Sequence, residues 1–489
     1  MSIPTAAPAG TKPPSTTAVV AVLAFAGIVV SLMQTLVIPI IPHLPEYLNA
    51  PASDTVWAVT ATLLAASVAV PTMGRLGDMF GKRRLLLISL ALLVAGSVIG
   101  ALSSSLVPLI FGRVLQGLAA GVIPLGISIM RDVLPPKKLA GAVAAMGASM
   151  GVGGALGLPL AALIAEYANW HVLFWTSAAL GILVTALVVV NVPESTVRTG
   201  GKFDFVGAVS LSAALIALLL AISKGNSWGW TSTETLTMLG ISLVAFVIWG
   251  WWELRTPQPL VNLRVSVRPQ VLFTNLASIV FGFAMFALSM VFPQVVQLPE
   301  ATGFGLGGSM LTAGLVMAPS GIVMMLIAPV SSRITNLYGA KITLMIGAVV
   351  VAVGYAIGIF AMHSIWQLIM IAIITGAGTG MAYGAMPALI MGAVPLSETG
   401  AANSFNTLMR SLGTSFASAI AGVVIAQMTM SLGGATLPSE NAFRVIMALA
   451  AGSAIIALIL TSFIPKFQKP NSATETHDNS AVREPANAN

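Results

Sequence analysis

Gly74-Arg75-Leu76-Gly77-Asp78-Met79-Phe80-Gly81-Lys82-Arg83-Arg84 is a short charged stretch between two long apolar runs. A polar turn in that setting belongs at a membrane surface, because hydrocarbon leaves backbone and charged groups without partners. Loops rich in Lys and Arg stay on the cytoplasmic side, and four of these residues are cations, so the stretch is expected to face the cytoplasm. Working outward, a chain of 489 residues that is 57% hydrophobic and 8% charged is no ordinary soluble domain. Run after run reaches the roughly 20 residues that cross a bilayer. The expected class is an all-α polytopic membrane protein. The net charge of +7 would suggest nucleic acid in a soluble protein, but one-sided loops account for it, and no nucleic-acid partner is expected. There is no cysteine, which removes disulfide and thiolate chemistry.

Fourteen candidate spans follow, at about 17–42, 55–73, 84–103, 106–129, 140–164, 171–192, 205–223, 235–254, 270–293, 307–330, 341–361, 366–390, 401–427 and 442–464. With Gly74–Arg84 inside, eighteen of the 22 Lys and Arg fall on the cytoplasmic side, and only Lys224 and Arg444 fall outside. Both termini are then cytoplasmic, in a cell (inner) membrane, with the first span retained as an uncleaved anchor because its apolar run is too long for a signal-peptide core. The nine tryptophans sit near span ends, as an interfacial belt requires.

An internal repeat is legible. At a nearly constant offset, Pro71 and Gly81 match Pro329 and Gly339, Gly117-x3-Gly121 matches Gly376-x3-Gly380, and Gly141-Ala142 matches Gly400-Ala401. Pro39 with Leu44-Pro45-Glu46 matches Pro293 with Leu298-Pro299-Glu300, and Asn169 and Pro193 match Asn441 and Pro465. Spans 1–6 therefore repeat as spans 9–14, and spans 7–8 form an inserted hairpin. The expected organisation is a cytoplasmic segment 1–16, a six-helix bundle 17–192, the hairpin with its flanking loops 193–269, a second six-helix bundle 270–465 and a disordered cytoplasmic tail 466–489. Two such bundles enclose a cavity that can open to either side, which is the architecture of a transporter.

The opening stretch resembles the signature loop of the major facilitator superfamily, with Gly74, Asp78, Gly81, Lys82 and Arg83 in the pattern and Met79 where an Arg is usual. Nearly the whole chain is similar to the fourteen-span drug:proton antiporter branch. Arg113-Val114-Leu115-Gln116-Gly117 looks like its Arg-x-x-Gln-Gly motif, and Lys202 to Gly207 resembles its approach to span 7. The glycines Gly151, Gly153, Gly154 and Gly157 with Pro159 resemble its span-5 antiporter motif, and Met33 stands where that branch carries an acid. The resemblance implies a major facilitator fold and proton-driven transport with no cofactor other than the proton gradient.

The residues suggest three groups of sites. Gly74, Asp78, Gly81, Arg83 and Asp132 are expected to form a charged inner latch, with Arg83 pairing to the acids. No acid lies at mid-membrane, with Glu166 at the outer end of span 5 a weaker proton site than Asp132, but Arg113 and Arg410 lie about 10 Å and 14 Å into their spans at ~1.5 Å per residue. A cation there costs at least roughly 2.5–3.5 kcal/mol, so each is read either as facing a cavity or as capping backbone carbonyls. Arg113 with Gln116, and Arg410 with Asn403 and Asn406 on one face of span 13, are the coupling or cavity candidates. Met33, Gln34, Asn275, Phe283, Phe286, Tyr383 and Met386 are expected to complete a mixed pocket. Gly151, Gly153, Gly154, Gly157 and Pro159 are expected to form a packing seam or hinge.

No nucleotide loop, metal motif or catalytic constellation is present in the sequence, so no enzyme and no metal are expected. The reading favoured is proton-coupled export of small amphipathic compounds, neutral or anionic, by alternating access. A dedicated carrier for one metabolite or lipid is the alternative, and a non-transporting receptor a third. The expected partners are a small molecule and the lipid bilayer, with no obligate protein partner and a monomeric state.

Overall fold

The structure, a computed structural model, describes residues 15–465 apart from 38, 39, 41, 42, 56, 196 and 434. Residues 1–14 of the expected segment 1–16, the expected tail 466–489, the repeat mark Pro39 and the side chain of Glu166 lie outside the described residues.

Fourteen helices are long and apolar enough to cross a membrane. They are α1 (Thr16–Thr35), α2 (Trp57–Phe80), α3 (Lys82–Leu102), α4 (Leu106–Val133), α5 (Pro136–Tyr167), α6 (His171–Asn191) and α7 (Phe205–Trp228). The rest are α8 (Thr233–Arg255), α9 (Pro269–Gln297), α10 (Met310–Tyr338), α11 (Ala340–Phe360), α12 (Ile365–Met391), α13 (Thr399–Gln427) and α14 (Glu440–Ser462). Several begin on side-chain caps, including Ser15, Asp204, Ser232, Ser309, Ser364 and Ser439, each accepting a backbone N–H three residues on. A two-stranded hairpin, β1 (Thr429–Leu432) and β2 (Ala435–Pro438), joins α13 to α14.

Helices α1–α6 form one bundle and α9–α14 the other, each around its own apolar core. The duplication appears in backbone geometry. Gly81 and Gly339 each break two helices with a positive φ, +111° and +89°. Each donates its N–H four residues back, to Gly77 and Thr335, and accepts from four residues on, Leu85 and Thr343. An L side chain is strained at that φ, so glycine is needed at both places. The charged stretch is therefore not an extended turn: α2 runs through Arg75 and Asp78 to Phe80, and Gly81 alone separates it from α3. The helix outlasts its apolar run because Arg75 and Asp78 are buried against protein rather than exposed to lipid.

The halves meet along two lines: α5 against α10 and α12, and α2 and α4 against α13. The hairpin α7–α8 packs through α7 on both α2 and α13.

Candidate functional site

The end of the bundle that carries Gly81 and Gly339 is shut. Asp78, fully buried, accepts from the backbone N–H of Gly400 (3.1 Å) and Ala401 (2.9 Å) at the start of α13. A helix start presents unpaired N–H groups and a partial positive charge, so a carboxylate is stabilised there. Gly74 and Gly400 make this approach possible: a Cβ on Gly74 would meet the Gly400 carbonyl oxygen at 2.6 Å, and one on Gly400 would meet Asp78 at 2.7 Å. Arg131, on the next helix but one, adds donors across the same seam to the carbonyls of Val394 (2.8 Å) and Pro395 (3.3 Å) and to Thr399 Oγ1 (2.5 Å).

Behind this seam Lys82 Nζ lies 2.6 Å from Asp132 and 3.5 Å from Asp78, all three side chains out of contact with solvent. Ser195 Oγ donates to the same Asp132 oxygen at 2.5 Å. The pairing expected of Arg83 is thus made by Lys82. Arg83 is the next residue round α3 and turns outward, donating to the Val189 carbonyl at 2.6 Å. Gly81 sits under Glu194, whose Oε1 lies 2.7 Å from where a Cβ would stand.

Toward the opposite end lies a cavity of about 470 Å³ between the halves. Its N-terminal wall is Thr35 with Met150, Gly151, Gly154, Ala155 and Leu158 of α5. The facing wall comes from α9, α10, α11 and α12 and includes Phe286, Met285, Tyr355 and Thr379. Six methionines line it in all, Met150, Met285, Met290, Met310, Met317 and Met324, with no carboxylate among the described lining residues. Unbranched, polarisable side chains of this kind adapt to varied apolar shapes. It reaches Gln294 and Met310, at the ends of α9 and α10 away from Gly81.

Arg410 lies just behind this wall. Its guanidinium stacks 4.3 Å over the Tyr383 ring, and Nη2 lies 3.5 Å from the sulfur of Met150. The Tyr383 hydroxyl in turn donates to the sulfur of Met285. Among the described residues no carboxylate pairs with Arg410, so its charge is held by an aromatic face and a thioether.

The other sequence candidates separate. Arg113 is buried inside the N-terminal bundle, donating to the carbonyls of Ala58 (2.9 Å) and Met33 (3.4 Å) and to Gln116 (2.7 Å). Gln116 continues to Ser97 at 2.9 Å, tying α1, α2, α3 and α4 together. Arg113 and Gln116 are thus away from the cavity, and of the two readings the carbonyl-capping one describes the contacts. The two asparagines of α13 also turn away from the cavity. Asn406 donates to Asn275 (2.9 Å) and Ser278 (2.8 Å), and Asn403 to Thr399, so Asn403, Asn406 and Asn275 join α9 to α13 and the helix itself. Met386 accepts from Ser278, Met33 is buried under Ser97, and Gln34 and Phe283 are not among the cavity's lining residues. Phe286 alone of that set lines it, with Tyr383 one layer behind.

The α5 glycines divide by face. Gly153 and Gly157 press on α1, with a Cβ on Gly153 meeting the Ile28 carbonyl at 2.4 Å. Gly151 and Gly154 face the cavity, and Pro159 lies against Gly314 of α10. Arg131 and the six methionines were not singled out from the sequence, and Lys82 was placed in the signature pattern but not in the latch. Lys82 carried a signal, the charged stretch itself, and so did Met310, Met317 and Met324 through their seven-residue spacing on α10, whereas the other three methionines are spread over α5 and α9.

Comparison with known proteins agrees with this architecture. A sequence model of the Major Facilitator Superfamily matches residues 23–207 and 274–487, and the interval between them holds α8 and most of α7. Multidrug resistance protein 3 of Bacillus subtilis is 24% identical over 377 residues, 75% of this chain and 72% of its own. The tetracenomycin C resistance and export protein of Streptomyces glaucescens is 26% identical over 407 residues, 81% of this chain and 73% of its own. Among solved structures, the human organic anion transporter MFSD10 superposes with a TM-score of 0.65 at 16% identity, covering 92% of this chain and 100% of that one. The proton:xylose symporter XylE superposes with a TM-score of 0.63 at 14% identity, over 92% and 96%. With two six-helix bundles, a shut charged end and a cavity between the halves, the chain is a multi-pass membrane transporter, not an enzyme, and belongs to the Major Facilitator Superfamily.

Proposed function

We propose that this transporter exports small, largely apolar compounds, neutral or anionic, in exchange for protons by alternating access. The observation that carries the reading is the methionine-lined cavity with Arg410 behind its wall and no acid among its described lining residues. A fixed positive charge near a low-dielectric cavity raises the cost of a cationic guest and lowers that of an anionic one. The names of the relatives, multidrug resistance and tetracenomycin export, support outward movement of such compounds. The excess of Lys and Arg at the shut end supports a cytoplasmic placement for it, with the cavity facing outward in this state.

Coupling is assigned to Asp78, Lys82 and Asp132. In the shut state one ammonium serves two buried carboxylates. A proton on Asp78 removes the charge that Lys82 and the first N–H groups of α13 hold, and loosens the seam there, which opens the cavity to the cytoplasm. Return of the proton to the cytoplasm restores the latch around a loaded cavity. No cofactor is needed beyond the proton gradient.

The test is flux in proteoliposomes, with and without an imposed proton gradient, for a panel that includes a lipophilic cation and an anionic dye. Gradient-dependent movement of neutral and anionic compounds is expected. Strong competition by the cation alone would overturn the charge preference, and flux indifferent to the gradient would overturn the coupling.

A further inference from the structure

A second cavity, of about 230 Å³, lies at the shut end where three parts of the chain converge. Arg75 enters it from α2, Thr199 from the segment after α6, Gln258 and Asn262 from the segment after α8, and Glu398 and Phe405 from the second half. Two donors in its wall are left over. Arg75 is 8% exposed, its Nε is buried without a partner, and no hydrogen bond or ion pair reaches its guanidinium from any described residue. The hydroxyl of Thr199 is likewise buried and unpartnered. Buried polar groups are nearly always satisfied, and a buried cation without a counter-charge is costly, so two orphans on one cavity point to a missing acceptor.

We propose that this cavity binds a small tetrahedral oxyanion of the phosphate class, clasped by the Arg75 guanidinium and the Thr199 hydroxyl. The guanidinium fork matches two oxygens of such an anion, and the hydroxyl supplies a donor to a third. The amide of Gln258 is anchored to the Lys202 N–H through its oxygen (2.7 Å), which leaves its NH2 group as a further donor at the rim. Glu398 is the opposing charge on the wall, and it is partly satisfied by Asn262 at 3.4 Å. Thr199 is placed by its own N–H, which donates to the Asp78 carbonyl at 2.8 Å, so the site is built onto the latch. The donors come from α2 and from the segments after α6 and α8, and the second half closes the wall with Glu398 and Phe405.

Free phosphate and a phospholipid headgroup share this chemistry, and two arms separate them. In the first, the purified chain in neutral detergent is dialysed to equilibrium against radiolabelled inorganic phosphate. In the second, thermal unfolding followed by tryptophan fluorescence is compared in phosphatidylcholine nanodiscs with and without phosphatidic acid. Saturable phosphate binding assigns a soluble anion, and stabilisation confined to phosphatidic acid assigns a headgroup. In whichever arm responds, Arg75→Gln should weaken the effect about tenfold or more, the worth of a charge-assisted hydrogen bond. Glu398→Gln, which keeps an acceptor for Asn262, should strengthen it. That opposite sign is not what a merely destabilised variant gives. Neither arm responding, or an Arg75→Gln response equal to the parent's, would overturn the site.

Discussion

Asp78→Asn is the sharpest test of the latch. The carboxylate accepts two backbone N–H groups at the start of α13, at 3.1 and 2.9 Å, and faces Lys82 at 3.5 Å. The amide is almost the same size, and its oxygen can keep one of the two bonds. Lost are the second acceptor and the charge, worth roughly 1.5–3 kcal/mol for a charge-assisted bond and about 0.3–1 kcal/mol for an anion at a helix start. Opening hydrates the parent carboxylate and returns part of this, which leaves about 2 kcal/mol favouring the shut state. At about 1.4 kcal/mol per decade, the ratio of shut to open molecules should fall roughly 30-fold. The chain has no cysteine, so nitroxides on Arg84→Cys and Leu337→Cys, exposed positions on the two halves, report that ratio as an inter-label distance distribution. The longer-distance population should grow in Asp78→Asn, and turnover in proteoliposomes should fall more than substrate affinity. Superimposable distributions with parental turnover would refute the account of the latch.

Lys82→Gln and Asp132→Asn should each reduce gradient-driven flux, and the double variant should be no worse than the more damaged single, because the 2.6 Å pair acts as a unit; additive losses would sever them. Arg113→Gln strips donors from the carbonyls of Ala58 and Met33, and should lower the thermal unfolding midpoint by an amount equivalent to at least about 2 kcal/mol; an unchanged midpoint would return Arg113 to the list of transport residues. The α5–α10 seam should discriminate between two alanines. A Cβ on Gly321 meets the Gly151 carbonyl oxygen at 2.6 Å and cannot be accommodated without backbone movement, whereas one on Gly151 meets the mobile end of Met324. Gly321→Ala should therefore abolish flux in a folded chain and Gly151→Ala should not, as flux and size-exclusion profiles together would show.

The fourteen helices were legible because apolar length is a local property, and the repeat was legible because Gly81 and Gly339 need the same backbone conformation. Helix ends were less so. Span 2 reads as stopping near residue 73, since Arg75 and Asp78 look like loop residues until the helix they pack on is known. The choice between Lys82 and Arg83 depends on the rotation of α3 after Gly81, which neighbouring cations cannot reveal. Asn403, Asn406 and Arg410 do share a helix face, as their spacing requires. The identity of the facing surface, α9 for the asparagines and Tyr383 for the arginine, is a tertiary fact. Half of the methionine wall has a local signature, Met310, Met317 and Met324 at seven-residue intervals on α10, whereas Met150, Met285 and Met290 come from two other helices and share no pattern with it.

The inserted hairpin bears on how such a machine can turn over. Near the shut end α7 packs its Ala208, Leu211 and Leu215 into one cluster with Leu408 and Leu412 of α13. Near its other end it is bound to α2, through Thr60 and Ser223 (3.4 Å) and Lys224 over the Trp57 ring (5.2 Å). The helix thus crosses diagonally from one half to the other, while α8 presents Leu243, Val244, Val247 and Ile248 outward. In the alternating access proposed above, α7 cannot ride with both halves. One set of contacts has to slide, and the outward face of α8 is dragged through the surrounding lipid as it does. The cycle time should therefore respond to the viscosity and thickness of the bilayer.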